Sequence, residues 1–322
     1  MNPSFKKYLL TLTKSSDCEE IEVIQSLWSG YGKISRYQLA NLEEEMVVVK
    51  CISLNQLNEH PRGWNTDFSH NRKVKSYEVE TYWYEKWSRF CGDHCPIPKF
   101  LGSFTEGRDR WIVLEDLNTH FPLRKEQISL AEVSACLSWL ASFHSTFMNQ
   151  KPEGLWNIGT YWHLDTRPDE LEKMEHQELK SKAHLIDDLL NQCRYQTIVH
   201  GDAKLANFCF SEDGKKVAAM DFQYVGGGCG MKDVVYFLGS CLSALECEQY
   251  ERELLDFYFS ELKKGLESLE SDIDFMDLEK EWRSLYPVAS ADFTRFLLGW
   301  MPSHQKLNHY SLRLMNEVLS GI

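Results

Sequence analysis

The sequence has no long apolar run. Its longest uncharged, apolar-rich stretch, residues 234–245, falls well short of the ~18 residues that a membrane-spanning helix needs. The apolar segment near the start of the sequence, YLLTLT after Lys6 and Lys7, is also too short to be the core of a secretory signal. We therefore expect a cytoplasmic protein that has no membrane partner.

Positive charge is also scarce. The chain has 35 Lys and Arg against 48 Asp and Glu, which gives a formal net charge of −13. A general nucleic-acid-binding protein needs a basic surface, so we expect no nucleic-acid partner. The acidic balance and the 13% of aromatic residues are compatible with an apolar or cationic small-molecule partner, although core packing is the commoner role of aromatic residues. Nothing in the sequence indicates the oligomeric state.

The 10 cysteines are scattered along the chain. Several, such as Cys136 and Cys209, lie in apolar segments, where free cysteine behaves as a small hydrophobic residue. The cluster from Cys91 to Cys95, CGDHC, lacks the second pair of ligands that a structural zinc site needs. These features favour a reducing compartment and provide no metal site at the cysteines.

The sequence has no Walker-type G-x-x-x-x-G-K-[ST] loop. Its most informative stretch is residues 197–223, TIVHGDAKLANFCFSEDGKKVAAMDFQ. This stretch reads as strand, tight loop, strand, turn and strand. It places Asp202, Asn207 and Asp221 at loops and strand ends, where a rigid scaffold meets solvent.

These residue types suit phosphoryl transfer. That reaction needs an acceptor hydroxyl held in line and cations that neutralise the phosphate charge. Asp202 could orient the hydroxyl and take its proton, and Lys204 could reach the transferring phosphate. Asn207 and Asp221 offer the hard oxygen ligands that Mg²⁺ prefers.

The segment HGDAKLAN resembles the catalytic loop of the protein-kinase-like fold, whose signature is H-x-D, four residues and N. Protein kinases have arginine at the position of Gly201. A glycine there resembles the motif of the small-molecule branch of that fold, which includes aminoglycoside phosphotransferases, choline kinases and the ecdysteroid-kinase-like family. Asp221-Phe222-Gln223, followed by a glycine-rich run and DVVYFL, is most similar to the ecdysteroid-kinase-like group.

The resemblance implies a two-lobed α+β protein. Residues 1–117 would form an ATP-binding N-lobe, an antiparallel sheet plus one helix, and residues 118–322 a mainly helical C-lobe that carries catalysis and substrate binding. It also implies a kinase that uses ATP and Mg²⁺ to phosphorylate a hydroxyl of a small molecule. In that case Asp202 and Lys204 are catalytic.

The same resemblance implies phosphate-binding residues in the N-lobe. Gly30 and Gly32 lie one strand before EMVVVKCI, as in the kinase glycine loop, although a plain hairpin turn explains them equally well. Lys50 on that strand would pair with the α- and β-phosphates. Glu80 would hold the lysine, with Glu78 as the rival on another helix face.

Glu115 and Leu117 would contribute to adenine binding. They lie at the end of the apolar segment RWIVLEDL, which resembles the fifth strand and hinge of the kinase-like fold. Backbone groups near residues 115–117 would then hydrogen-bond the adenine.

Several further segments can be interpreted locally. Residues 152–170 are irregular and read either as a substrate lid or as a packed connector. The run Gly226–Gly230, with four glycines, predicts a flexible or tightly turned loop. Asp233 is expected to cap the helix that it opens, and by resemblance to brace the catalytic loop. His144 reads as a core or supporting histidine.

Polar, Pro- and Gly-containing composition predicts a loop over residues 54–71. Apolar periodicity and composition predict several helices, which cover residues 1–18, 72–90, 128–149, 247–270, 278–286 and 290–320.

Two other functions are possible on this fold. One is a non-catalytic nucleotide-binding or scaffold protein, which need not keep a lysine, two acids and an amide at the matching positions. The other is a protein kinase, against which Gly201, the short segment after Asp221 and the lack of an A-P-E-type motif argue.

Overall fold

The computed structural model describes residues 1–27, 30–40, 46–53 and 67–322. The chain forms two compact units. The first comprises Met1–Arg89 and Ile97–His120, and the second comprises Phe90–Pro96 and Phe121–Ile322. Residues 54–66 of the expected 54–71 loop lie outside the described residues.

The first unit is built on a five-stranded antiparallel sheet with the strand order β1-β2-β3-β5-β4. Alternation along β2 buries Ser35, Tyr37 and Leu39 on one face, as period-2 patterning requires. The strands are β1 (Cys18–Ser26), β2 (Gly32–Leu39), β3 (Met46–Ser53), β4 (Phe100–Glu106) and β5 (Asp109–Glu115).

Two helices belong to the first unit. Helix α1 (Pro3–Thr13) starts where the Asn2 side chain accepts a hydrogen bond from the Phe5 amide, and it stacks the Phe5 ring on Trp111 at 5.1 Å between centroids. Helix α2 (Asp67–Tyr82) continues into a π-helical turn at Trp83–Trp87 and a 3-10 turn at Ser88–Phe90.

The second unit is mainly helical, with two short antiparallel strand pairs, β6 with β9 and β7 with β8. The strands are β6 (Thr197–Val199), β7 (Phe208–Phe210), β8 (Val217–Ala219) and β9 (Gly226–Gly228). The helices are α3 (Leu130–Thr146), α4 (Pro168–Lys173), α5 (Gln177–Asn191), α6 (Met231–Cys241), α7 (Ala244–Ser268), α8 (Phe275–Trp300) and α9 (His309–Gly321).

Capping chemistry sets the start of α3. Ser129 and Glu132 form a reciprocal capping box, which satisfies amide groups that the first helical turn leaves without partners. The buried face of α3 includes Trp139, which stacks on Phe143 with 4.9 Å between centroids and donates a hydrogen bond to the Pro96 carbonyl at 2.9 Å.

Two expectations about local structure are wrong. Residues Gly226–Gly228 of the glycine run form strand β9 rather than a loop, because they pair with β6. Glycine is needed at position 226, since a Cβ there would lie 2.2 Å from the Trp156 carbonyl oxygen. The predicted break between residues 286 and 290 is also missing, since α8 runs through Pro287 from Phe275 to Trp300. The break between helices lies instead at residues 301–308, between α8 and α9.

This architecture confirms the expected fold class, an antiparallel sheet with helices in one unit and a mainly helical second unit. Among the described residues, no helix combines the length and the apolar character needed to cross a membrane.

Two helical glycines provide a matched test of packing in the second unit. A Cβ at Gly299 in α8 would lie 1.9 Å from the Glu170 carbonyl oxygen, whereas a Cβ at Gly239 in α6 meets no atom within 4 Å. We expect Gly299→Ala to lower the free energy of unfolding by about 1–3 kcal/mol through overpacking. Gly239→Ala should raise it by about 0.5–1 kcal/mol, because alanine favours the helix. Urea denaturation measures both, and equal effects would contradict this account of the packing.

Candidate active site

The segment that resembles a catalytic loop lies in the second unit between β6 and β7. It contains His200, Gly201 and Asp202, and it ends in a 3-10 turn at Leu205–Asn207. The β7–β8 hairpin follows and delivers Asp221 directly after Met220, whose amide donates to the Asn207 carbonyl at 3.0 Å. The fold therefore brings Asp202, Asn207 and Asp221 into one region.

Asp233 holds this loop in place. Its fully buried carboxylate accepts hydrogen bonds from the His200 amide at 2.6 Å and the Gly201 amide at 2.9 Å. The same carboxylate contacts Nε2 of buried His144 at 3.1 Å, and Nδ1 of His144 lies 2.8 Å from the Tyr258 hydroxyl. The expectation that Asp233 caps its own helix is wrong, because α6 begins at Met231 and the carboxylate points at the loop.

Gly201 is required by the backbone at this point. Its φ of +80° lies in the left-handed region, and a Cβ would approach the Tyr224 carbonyl oxygen to 2.0 Å. An arginine cannot fit here without moving that backbone. The glycine that distinguishes this sequence from protein kinases thus has a steric cause.

His200 is a supporting residue. Its Nδ1 accepts a hydrogen bond from the Asp202 amide at 3.2 Å, and its Nε2 lies 3.0 Å from the Met220 carbonyl oxygen. These contacts assign the neutral tautomer with hydrogen on Nε2. Phe222 covers the ring at 4.6 Å between centroids.

Asp202 lies at the centre of a charged cluster. Its Oδ2 is 3.1 Å from Lys204 Nζ and 3.1 Å from Asn207 Nδ2. The Asn207 amide also donates to the Asp202 carbonyl oxygen at 2.7 Å. The side chains of Lys204 and Asn207 therefore orient the carboxylate through one of its two oxygens.

Burial dominates the protonation equilibria in this cluster. Burial raises the pKa of Asp202, the Lys204 charge opposes that rise, and the Asp221 charge adds to it. For Lys204, burial lowers the pKa, but the carboxylates of Asp202 and Asp221 outweigh burial and raise it above the ordinary value. The lysine thus keeps its positive charge beside a carboxylate that is costly to ionise.

Asp221 adopts an unusual backbone conformation. Its φ of +69° is in the left-handed region. Few non-glycine residues adopt this conformation, and those that do are often found at functional sites. The Gln223 side-chain amide donates to its Oδ1. The backbone and this hydrogen bond together fix the direction of the carboxylate.

Asn207 and Asp221 are the residues whose side-chain oxygens could hold a Mg²⁺ ion. Because Nδ2 of Asn207 donates to Asp202, its Oδ1 lies on the other side of the amide group. Mg²⁺ is usually held by one or two protein oxygens, phosphates and water. In the described part of the chain, no three or more His, Cys, Asp or Glu side chains are grouped as a metal site.

Lys50 and Glu80 pair in the first unit. Lys50 Nζ lies 2.6 Å from Glu80 Oε2, and both side chains are buried. Glu78, the rival partner, contacts Arg110 instead at 3.0 Å and is half exposed. A buried lysine held by one carboxylate is the arrangement that the resemblance implied.

The other expected nucleotide residues also lie in the first unit. Gly30 and Gly32 have φ values of +72° and +134° at the turn before β2, where the Leu27 amide donates to the Gly32 carbonyl at 2.8 Å. Glu115 ends β5, and Leu117 begins a 3-10 turn that the Asp116 side chain caps. The contacts of these residues are those of a hairpin and a capped turn.

Residues 152–170 pack as a connector against the catalytic segment. Trp156 Nε1 donates to the Gln223 carbonyl at 2.8 Å, and the Tyr161 amide donates to the Gly201 carbonyl at 3.2 Å. Trp156 and Trp162 are buried. Of the two interpretations of this segment, the structure favours the packed connector over the lid.

Three residues beside Asp202 were not recognised from the sequence as site residues. Tyr236 lies close enough to Asp202 and to Tyr161 for these groups to act on its pKa. Burial raises the pKa of both tyrosines. Burial lowers the pKa of Lys306 to about 8, while the charge of Asp202 opposes that fall. Tyr236 falls in the DVVYFL motif and Tyr161 in the aromatic connector, but no sequence pattern marks Lys306.

The chain also matches a known protein family. Residues 157–271 match the ecdysteroid kinase-like family. This segment, a little over a third of the chain, includes Asp202, Asn207, Asp221 and Asp233. The resemblance expected from the catalytic motif is therefore confirmed over these residues. No curated protein sequence matches the chain.

Several solved structures are similar at low identity. An aminoglycoside-3'-phosphotransferase of type VIII has a TM-score of 0.48 at 15% identity, covering 91% of this chain and 98% of its own. A putative fructosamine-3-kinase from Haemophilus somnus has a TM-score of 0.47 at 12% identity, covering 98% and 96%. An ethanolamine kinase from Plasmodium vivax has a TM-score of 0.49 at 10% identity, covering 98% and 84%.

The raised pKa of Asp202 predicts a stability cost at neutral pH. A carboxyl whose pKa is raised by folding favours the folded state at acid pH and loses that contribution as the pH rises through its folded-state pKa. We expect Asp202→Asn to raise the melting temperature by about 2–4 °C at neutral pH. The gain should shrink as the pH falls towards 3.8, the ordinary value. Thermal unfolding across this pH range measures it, and a variant less stable at neutral pH would contradict the prediction.

Proposed function

We propose that the protein is a kinase that transfers the γ-phosphate of ATP to a hydroxyl group of a small molecule. The observation that carries the proposal is the buried Asp202 carboxylate, oriented by Lys204 and Asn207 on a loop that Asp233 anchors. The match of residues 157–271 to the ecdysteroid kinase-like family supports the same reaction class.

Asp202 would receive the acceptor hydroxyl. Lys204 and Asn207 both contact Oδ2, which leaves Oδ1 to accept the hydrogen of the hydroxyl group. As the acceptor oxygen forms its bond to phosphorus and the bond to ADP breaks, the hydroxyl proton passes to the carboxylate. Burial favours this transfer because it raises the pKa of Asp202, which makes the group a stronger base.

Lys204 would stabilise charge on the transferring phosphoryl group. Its ammonium is held 3.1 Å from Asp202, and neighbouring carboxylates keep it protonated. A fixed cation beside the acceptor oxygen stabilises the negative charge on the phosphoryl oxygens without reorganising during the reaction.

Asn207 and Asp221 would hold Mg²⁺ that enters with ATP. The bound cation would neutralise part of the phosphate charge. In the first unit, Lys50, kept in place by Glu80, would contact the α- and β-phosphates. Gly30 and Gly32 would lie along the phosphates, and backbone groups at Glu115 and Leu117 would bind adenine. Each of these roles rests on the motif resemblance together with the local geometry.

The role of Asp202 predicts a specific loss of turnover. With a panel of hydroxyl compounds as acceptors and ADP formation as the readout, Asp202→Asn should lower kcat by about 10²–10⁴-fold, the usual contribution of a general base. The amide keeps the size of the side chain but cannot take the proton. Binding of Mg-ATP, measured by calorimetry, should change little.

Asp213→Asn is the matched control. Asp213 is an exposed acid in the β7–β8 turn, close in sequence to the site, and its carboxylate caps only its own turn. The control should retain wild-type turnover. Turnover of Asp202→Asn within about threefold of that control would reject the proposed base, given the loss expected for a general base.

A further inference from the structure

An aromatic cluster lies beside Asp202 in the second unit. Tyr236, which lies close enough to Asp202 for that carboxyl to act on its pKa, has its ring 5.5 Å from the ring of Tyr161 and 5.0 Å from that of Phe293. Phe296 extends the group, with its ring 5.4 Å from Tyr161 and 5.6 Å from Trp300. We call these five residues the aromatic cluster. Tyr161 and Trp300 are partly exposed.

Aromatic faces next to a phosphoryl-transfer site suit two kinds of acceptor. One is an apolar body that packs on the rings. The other is an ammonium group, which the electron-rich faces of Tyr, Trp and Phe attract. The acidic composition of the chain is compatible with both kinds of acceptor. The side chains that already lie over the ring faces distinguish between the two.

Lys306 occupies one of these faces. Its Nζ lies 4.6 Å from the centre of the Tyr236 ring and 5.6 Å from that of Phe293. The ammonium is close enough to Asp202 and Lys204 for both charges to act on its pKa. A pKa of about 8 still leaves the amine mainly protonated at neutral pH.

The backbone around Lys306 is well anchored. Its amide donates to His304 Nδ1 at 3.1 Å, and its carbonyl accepts from the Ser311 hydroxyl at 2.8 Å. Ser311 also takes part in the cap that starts α9. The lysine therefore reaches the ring face from a fixed position in the connector between α8 and α9.

Arg167 lies over two further rings of the aromatic cluster, those of Tyr161 and Phe296. Its guanidinium lies 5.7 Å from the centre of the Tyr161 ring and 5.1 Å from that of Phe296. Its Nε donates to the Tyr161 carbonyl, and its Nη1 pairs with buried Glu170 at 3.1 Å. The chain's own cations thus lie over four of the five rings of the aromatic cluster.

We propose that Lys306 occupies the position at which a cationic acceptor would bind, and so restricts the acceptor to hydroxyl compounds without positive charge at the end that reaches Asp202. This inference rests on the proposed function, because it assigns the acceptor side of the same site. A cationic acceptor would have to displace Lys306 from Tyr236 and lie close to a second cation, Lys204. A neutral acceptor meets the rings and the ammonium without that repulsion.

Choline and its uncharged carbon analogue, in which carbon replaces the quaternary nitrogen, test this directly. They have the same shape and the same hydroxyl but differ in charge. Their dissociation constants can be measured by NMR titration at matched ionic strength. The wild-type protein should bind the carbon analogue about tenfold or more tightly than choline, given the strength of a desolvated cation–π site and of charge repulsion.

Lys306→Met should change this preference. Methionine fills the same space without charge, so choline should gain about tenfold in affinity, while the affinity of the carbon analogue stays within about threefold. Lys306→Gln provides a second neutral variant. Lys306→Arg retains the charge and should leave choline weakly bound.

Lys263→Met is the matched control elsewhere. Lys263 also lies over an aromatic ring, 5.7 Å from the centre of Phe275, but on an exposed part of the second unit. Its replacement should change neither affinity. The proposal is overturned if neutral variants at Lys306 gain no affinity for choline, if Lys306→Arg gains as much as they do, or if the wild-type protein prefers choline.

Stabilisation by Mg-ATP, measured on the same samples, separates this inference from the function on which it rests. Suppose that Lys306→Met gains affinity for choline but Mg-ATP does not stabilise the wild-type protein. The proposed role of Lys306 at a cation site would then stand, and the proposed kinase function would be rejected. If Mg-ATP stabilises the wild-type protein but Lys306→Met gains no affinity for choline, the proposed kinase function would stand and the proposed role of Lys306 would be rejected.

Discussion

The candidate active site depends on one buried carboxylate, that of Asp233. Buried acids are stable only when their oxygens are hydrogen-bonded, and here the partners are two consecutive loop amides and a histidine. The pairing fixes the backbone at His200 and Gly201, and therefore the direction in which Asp202 leaves the chain. Leaving such a buried group without its hydrogen-bond partner typically costs about 1–3 kcal/mol, and more for a charged group, so the loop has little freedom to relax.

The loop in turn holds a group that is unfavourable for folding. Asp202 is buried next to a second acid, Asp221, and Lys204 offsets only part of the cost of ionisation. Asp221 adds a left-handed backbone conformation. Proteins commonly retain such features where function needs them and offset them elsewhere.

The parts of the structure that sequence reasoning predicted well are those with local signals. The apolar segments EMVVVKCI and RWIVLEDL indicated two strands of the first unit, and the spacing of His200, Asp202 and Asn207 indicated a loop between two short strands. Signals of this kind depend on residues that are close in the sequence, so they can be interpreted without knowing the fold. The same reasoning explains why helix α3 was expected at nearly its observed bounds.

The errors concern contacts between distant segments. The glycines at 226–228 form a strand because they pair with β6, and the Trp156 and Asn157 carbonyls approach them too closely for a side chain. Pro287 is accommodated within α8, although its ring normally disrupts a helix. Whether Lys50 meets Glu78 or Glu80 depends on which helix face is buried. Lys306 reaches Tyr236 across seventy positions, and no periodicity or motif encodes that contact.

The most direct test of the central claim is the thermal stability of the protein with ATP, with and without Mg²⁺. Asp221→Gly removes the carboxylate and suits the positive φ at that position, and Asp213→Asn serves as the control. Saturating Mg-ATP, at about a hundred times its dissociation constant, should stabilise the wild type and the control by about 2.7 kcal/mol. Asp221→Gly should lose most of this gain. Equal stabilisation of Asp221→Gly, or stabilisation of the wild type that does not depend on Mg²⁺, would contradict the assignment of Asp221 to a nucleotide-bound metal.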